Sequence, residues 1–279
     1  MFDQKQGAIS PAASAAIPAG SVAASDERPV VELANPAGPT PLLLLCDHAG
    51  RRIPAWLGDL GLPAEELARH IAFDIGAADV TRRLARLLDA PAVLAHVSRL
   101  VVDPNRLPGD PSSIPALSDG TLIPGNQELS PDEIRRRFAY AFVPYHRAVA
   151  RQIAGLRRRH GIPAIISIHS FTPQLGGVER AWEIAVLWDQ DPRLAAPVLA
   201  ELRRDPALKV GDNEPYSGRY PVGYTIPFHA VRTGLPHVTF ELRQDLIATR
   251  AHAEAWALRL AEVLREPLAD RKLYRWYHS

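Results

Sequence analysis

The chain has 279 residues, 47% of them hydrophobic, with 32 Lys and Arg against 31 Asp and Glu and a formal net charge of +1. That balance gives no basic field for nucleic acid, and no apolar run reaches the ~18 residues a membrane span needs, so a small molecule is the expected partner. The single cysteine, Cys46, excludes an intrachain disulfide framework and a cysteine-rich zinc site and fits a reducing cytoplasm, and a monomer or small homo-oligomer is expected.

Residues 1–28 are rich in Ala, Ser, Pro and Gly and lack the basic start and continuous apolar stretch of a signal peptide. They read as a flexible or loosely docked arm ahead of one domain over 29–279. A strand is expected at 41–46, ending in Cys46-Asp47-His48, before a loop with Arg51, Arg52 and Pro54. Pro63 with Glu65 and Glu66 opens a helical pattern that continues with breaks towards Leu88. Short strands at 92–97 and 99–103 precede a polar loop that lasts to about residue 129. Ser130-Pro131-Asp132-Glu133 caps an amphipathic helix that runs to His160 and stops at Gly161-Ile162-Pro163. The strand from Ala164 to His169 leads into a Gly-containing loop through Arg180 and a strand from Glu183 to Trp188. A helix follows at 193–204, then a loop from Gly211 to Tyr224, a strand ending at Arg243, and a last helix at 249–266. This alternation predicts a three-layer α/β/α sandwich with a mixed sheet.

Glu241 carries most of the chemical information. In His237-Val238-Thr239-Phe240-Glu241-Leu242-Arg243 the apolar residues Val238, Phe240 and Leu242 share one face, and His237, Thr239, Glu241 and Arg243 share the other. Such a carboxylate is either a general base in a site or half of a buried ion pair with Arg243. Two other apolar strands end in histidine, at His48 and His169. The carboxyl ends of strands border the ligand crevice in α/β sheets, so these three residues are expected to converge. Each histidine alone fits a hydrogen-bonded loop or core role as well as a ligand role. Two with a carboxylate point to a metal-assisted hydrolase. His70 and Asp74, at i,i+4, compete as third ligand or surface residues. Asn105-Arg106 offers a directional donor and a planar fork for a substrate carboxylate, although a lone arginine is commonly a surface charge. Arg51, Arg180, Asn213 and Arg243, from loops and strand ends, complete the candidate substrate-binding set. Neither a Gly-x-Ser-x-Gly elbow nor a Gly-rich phosphate loop is present, and Cys46 is expected to point inward as a core residue.

Leu45-Cys46-Asp47-His48-Ala49-Gly50, the segment from Ser98 to Arg106, Ile166-Ser167-Ile168-His169-Ser170-Phe171 and Phe240-Glu241-Leu242-Arg243 resemble, in that order, motifs of the N-formylglutamate amidohydrolase family. The similarity covers roughly residues 40–265. More distantly, the Ser-Ile-His-Ser, Asn-Arg and Thr-Phe-Glu-Leu-Arg segments look like the zinc carboxypeptidases. The resemblance implies a phosphorylase/hydrolase-like α/β fold and a zinc-dependent amide hydrolase. It places metal ligation on His48 and His169, the general base on Glu241, and carboxylate binding on Arg106 with Asn105. The carboxypeptidases follow their first histidine with a glutamate three residues on, where this chain has Arg51. The third ligand must come from elsewhere, and Asp74 in His70-Ile71-Ala72-Phe73-Asp74-Ile75-Gly76 is the candidate.

The leading expectation is a metal-dependent amidohydrolase for an N-acyl amino acid, with N-formyl-L-glutamate as first candidate. The alternatives are a carboxypeptidase-like or cell-wall peptide amidase, and a degenerate, non-catalytic carboxylate-binding module. The loops at 104–129 and 211–224 discriminate between substrates: roofing the crevice implies a small one, lying open implies a peptide.

Overall fold

Every residue of Leu42–Cys46 and Ala164–Phe171 is buried, as in strands covered on both faces. They lie centrally in a seven-stranded sheet of a computed structural model that describes residues 29–219 and 223–277. The arm expected at 1–28 falls outside the described residues. In chain order the strands are β1 (Val31–Ala34), β2 (Leu42–Cys46), β3 (Ala92–Ala95), β4 (Ala164–Phe171), β5 (Ile184–Leu187), β6 (Val210–Asp212) and β7 (His237–Arg243). Their spatial order is β1-β3-β2-β4-β7-β5-β6. β1 runs antiparallel to β3 and β5 antiparallel to β7, while the other neighbours are parallel, so the sheet is mixed.

Helices cover both faces. On one side α1 (Ala77–Leu87), α4 (Pro192–Leu202) and α6 (Arg250–Ala269) pack against Leu42, Leu44, Cys46, Ile166, Ile168, Val238, Phe240 and Leu242. On the other, α3 (Val143–His160) sets Tyr145, Val149, Ile153 and Leu156 against Leu43, Leu45 and Ile165. Side chains alternate along each strand, so the groups left on the α3 side at the carboxyl end of the sheet are polar. Register puts them level: Ser167 is opposite Thr239, and His169 is opposite Glu241.

The structure departs from the sequence reading where local hydrogen bonds override propensity. The helical pattern expected from Pro63 is only a 3-10 turn at Glu66–Ala68, and α1 starts after Gly76. Gly76 has φ 80, and a Cβ there would lie 2.2 Å from the Ile247 carbonyl oxygen. Asp74 therefore sits in a turn and not on a helix with His70, and its backbone N–H donates to the His48 carbonyl at 2.9 Å. The strand expected at 99–103 is also a turn: the Ser98 hydroxyl donates to the Ala72 carbonyl at 2.8 Å and accepts from the Leu100 N–H at 3.2 Å. Ser130 does cap the next helix, accepting from the Glu133 N–H. That helix is divided into α2 (Pro131–Arg137) and α3 by a π-helical turn at Phe138–Phe142. Edge strands β1 and β6 and the short α5 (Thr225–His229) are additions to the sequence reading.

Candidate active site

His48 follows β2 and His169 lies in β4. The Nε2 of His48 is 2.7 Å from Asp103 Oδ1, and its Nδ1 is 3.3 Å from Asp74 Oδ2. His169 repeats the pattern, with Nε2 3.1 Å from Asp47 Oδ2 and Nδ1 2.9 Å from the same Asp74 oxygen. Carboxylates only accept, so each Nε2 carries the hydrogen it donates outward to Asp103 or Asp47. Each ring then turns Nδ1 towards Asp74, and that contact requires a second proton on the ring or a cation between the groups. Asp47, Asp74 and Asp103 are all buried, and Arg99, 2.8 Å from Asp103 and 3.4 Å from Asp74, offsets one of their three charges. A divalent ion would neutralise the remaining two.

One ligating atom from each of His48, Asp74 and His169 lies within 4.8 Å of the others. The donor set, two imidazoles and a carboxylate with further carboxylates behind the imidazoles, is one that suits zinc. Burial works against the charged form of His169, but its hydrogen bonds to Asp47 and Asp74 prevail and hold it well above its ordinary value. His48 is likewise raised, as Asp103 and Asp74 outweigh burial and the charge of Arg99. Burial acts to raise Asp74, yet His48 and His169 hold its carboxyl far below the usual range. Behind these residues the Tyr145 hydroxyl donates to Asp47 Oδ1 at 2.6 Å and Thr225 donates to the same oxygen at 3.0 Å.

Glu241 faces this cluster from β7. Its Oε2 is buried and has no hydrogen-bond partner among the described residues. Burial, with a contribution from the charge of Asp74, pushes its pKa up to about 7 against the opposing pull of His169, His48 and Arg99. The alternative ion pair with Arg243 is not formed, because Arg243 binds Asp245 through Nε at 2.9 Å and Nη2 at 3.3 Å.

A cavity of about 80 Å³ opens between His169, Glu241 and Asn105. Asn105 Oδ1 accepts from the backbone of Tyr224 and Thr225 at 2.8 and 3.0 Å, which fixes the start of α5 and leaves the amide NH₂ as the donor available to a ligand. Gly223 is pressed against it, and a Cβ there would lie 2.4 Å from Asn105 Oδ1. Arg106 is part-exposed next door and donates to the Asn105 carbonyl at 3.1 Å. Arg180 donates to the Tyr216 hydroxyl at 2.9 Å and stacks over Phe171 and Tyr216, close to Glu241, whose charge acts on that phenol.

The other expected substrate-binding residues are placed differently. Arg51 stacks over Phe73 and borders a separate depression with Gly50, Arg52, Ile53 and His96, so it does not line the cavity. Asn213, at φ 56, accepts from the Trp188 and Gly218 N–H groups at 3.1 and 2.8 Å, so its carboxamide oxygen holds the loop that walls the cavity. Arg243 is engaged by Asp245 as described. His70, the rival third ligand, pairs with Asp119 at 3.4 Å and is outside the cluster. Cys46 is fully buried in the core, and burial raises its thiol well above the ordinary value. The sequence reading assigned no role to Asp47, Asp103, Arg99 or Tyr145. The available signal was that two buried histidines need hydrogen-bond acceptors, and an aspartate directly precedes one of them.

A model of the N-formylglutamate amidohydrolase family matches residues 40–248. The chain is 28% identical over 265 residues to the N-formylglutamate deformylase of Pseudomonas aeruginosa, across 83% of this chain and 94% of that protein. A crystal structure of a gene product from Agrobacterium tumefaciens is 39% identical with a TM-score of 0.82, across 86% of this chain and 95% of that one. The crystal structure of an N-formylglutamate amidohydrolase from Ralstonia eutropha shares the fold at a TM-score of 0.61 and 22% identity, across 85% and 98% of the two chains.

Proposed function

Since the chain belongs to the N-formylglutamate amidohydrolase family and is therefore a hydrolase, we propose that it is a metal-dependent amidohydrolase that cleaves the amide of an N-acyl amino acid. Zinc is the proposed ion and N-formyl-L-glutamate, giving formate and glutamate, the reference substrate. The observation that carries the reading is the unpartnered, buried Oε2 of Glu241 beside two histidines and a shared aspartate.

His48, His169 and Asp74 would hold the ion. When bound, it supplies Lewis acidity towards the amide carbonyl and acidifies water. Asp103 and Asp47 fix the two imidazoles with Nδ1 turned inward. Glu241, with a carboxyl pushed up to about 7, takes a proton from the attacking water and returns it to the leaving nitrogen. The Asn105 amide and the Arg106 guanidinium bind the α-carboxylate at the rim.

The enclosure of the cavity favours a small substrate over a peptide. Ser217, Gly218 and Gly223 from the loop after β6, and Asn105 from the loop after β3, close over a space of about 80 Å³. Among the described residues no helix is long and apolar enough to cross a membrane. Action in the cytoplasm as a monomer or small homo-oligomer completes the reading.

The test joins metal analysis of protein purified without added metal to formate and amine release from N-formyl-L-amino acids. Glu241→Gln should lower turnover by ~10² to 10⁴ fold while metal content and melting temperature stay nearly unchanged. A fully active variant, or activity undiminished after exhaustive chelation, would overturn the proposal.

A further inference from the structure

Asn105 is fixed by its backbone as well as by its side chain. The peptide unit that joins it to Pro104 is bonded at both ends: the Pro104 carbonyl accepts from His146 Nε2 at 2.9 Å, and the Asn105 N–H donates to Asp103 Oδ1 at 2.8 Å. On the far side the Asn105 carbonyl accepts from the Tyr224 N–H at 3.1 Å. A planar unit held through both its groups cannot turn, so the direction in which Asn105 leaves the backbone is set before a ligand arrives.

His146 comes from α3 and is itself set by a second histidine. A carbonyl only accepts, so His146 Nε2 carries the hydrogen, and in the neutral ring Nδ1 is left to accept from His229 Nε2 at 3.0 Å. Both rings are buried, and burial lowers their pKa values and keeps them neutral. His229 ends α5, and Thr225 at its start donates to the Asn105 side chain at 3.0 Å. The bonds from α5 through His229, His146 and Pro104 therefore return to Asn105 from its other side. Packing against the Phe142 and Tyr224 rings would be served equally by an apolar ring at 146, but the two hydrogen bonds would not.

We propose that His146 and His229 are positioning residues for substrate binding, which fix the Asn105 amide at the cavity in the orientation that receives the α-carboxylate. The inference rests on the amidohydrolase reading, since that reading makes Asn105 a carboxylate anchor. Among the described residues neither histidine is hydrogen-bonded to Glu241 or to His48, Asp74 or His169. Their removal therefore acts on binding and leaves the chemical step alone. A contact that is equally strong in the ground and transition states changes KM and not kcat.

The test uses zinc-supplied protein, N-formyl-L-glutamate, and His146→Gln beside His146→Asn. Glutamine can bring an amide N–H to the place of Nε2, whereas asparagine reaches only the place of Nδ1. His146→Asn should raise KM by ~10-fold, the scale of one lost hydrogen bond, with kcat nearly unchanged. His146→Gln should recover most of the parent KM, and His229→Leu should raise KM in the same direction as His146→Asn. A merely structural role gives a different pattern, because fewer folded molecules lower the apparent kcat and leave KM where it was. That pattern, or equal KM values for the glutamine and asparagine variants, would overturn the inference. Zinc affinity, read by competition with a chromogenic chelator, should match the parent in both; a loss in His146→Asn would place the effect at the ion and not at Asn105. Calorimetric titration with L-glutamate is the readout independent of catalysis. If the parent cleaves no N-formyl amino acid but binds L-glutamate, and His146→Asn weakens that binding while His146→Gln keeps it, the amidohydrolase reading falls and the positioning assignment stands. A parent that neither cleaves nor binds would remove Asn105 as an anchor, and the inference with it.

Discussion

At the scale of single residues, the two histidines are held from outside as well as from within the site. Asp103 accepts from His48 Nε2 and also binds Arg99 and the Asn105 N–H, the latter at 2.8 Å. Asp103→Asn keeps the shape and removes the charge. It should weaken zinc affinity by ~10 to 100 fold, the scale of carboxylates behind ligating histidines, as read by competition with a chromogenic chelator. Unchanged affinity with a lower melting temperature would make Asp103 a structural partner of Arg99 alone. These partners were hard to see in the sequence because His48 and Asp103 are 55 residues apart and His169 and Asp47 are 122 apart. His48, His169 and Glu241 were legible because each interrupts or ends an apolar run.

At the scale of elements, the turn before α1 brings the third carboxylate into place. Gly76 lies two residues after Asp74, has φ 80 and leaves no room for a Cβ beside Ile247. Gly76→Ala should therefore strain the backbone by ~1 to 3 kcal/mol, lowering the melting temperature by several degrees and loosening zinc together with it. Calorimetry with and without zinc checks this, and a variant of normal stability and affinity would show that the turn adapts. The same turn explains why the helical pattern from Pro63 was misleading: Glu65, Glu66 and the apolar spacing favour a helix, but Asp74 and Ala72 give their backbone groups to His48 and Ser98. The long strands β2, β4 and β7 were readable because burial on both faces demands continuous or alternating apolar residues. β1 has no fully buried residue and β6 has only three residues, so neither carries a clear apolar run or period.

At the scale of the whole molecule, α3, the loop after β3 and α5 meet at a histidine pair. His146 Nε2 donates to the Pro104 carbonyl at 2.9 Å, which leaves Nδ1 to accept from His229 Nε2 at 3.0 Å. Burial lowers both pKa values, that of His229 to about 4 with the charge of His146 adding to the effect. The unfolded chain protonates these rings near pH ~6.5. It therefore binds more protons than the folded chain below that pH, and the stability due to the pair is complete above ~6.5 and lost as pH falls towards 4. His229→Gln should flatten this dependence relative to the parent protein, measured by urea unfolding at several pH values across that window. Parallel curves for the two proteins would exclude the pair as the source. The sheet separates such polar contacts from the main core, and β7 shows what this separation permits over evolutionary time. Residues 238, 240 and 242 maintain the core, while 237 and 239 face the cavity. A lineage can exchange the cavity pair while the core set stays intact, so the strand that stabilises the molecule can also be its readiest place to acquire a new substrate.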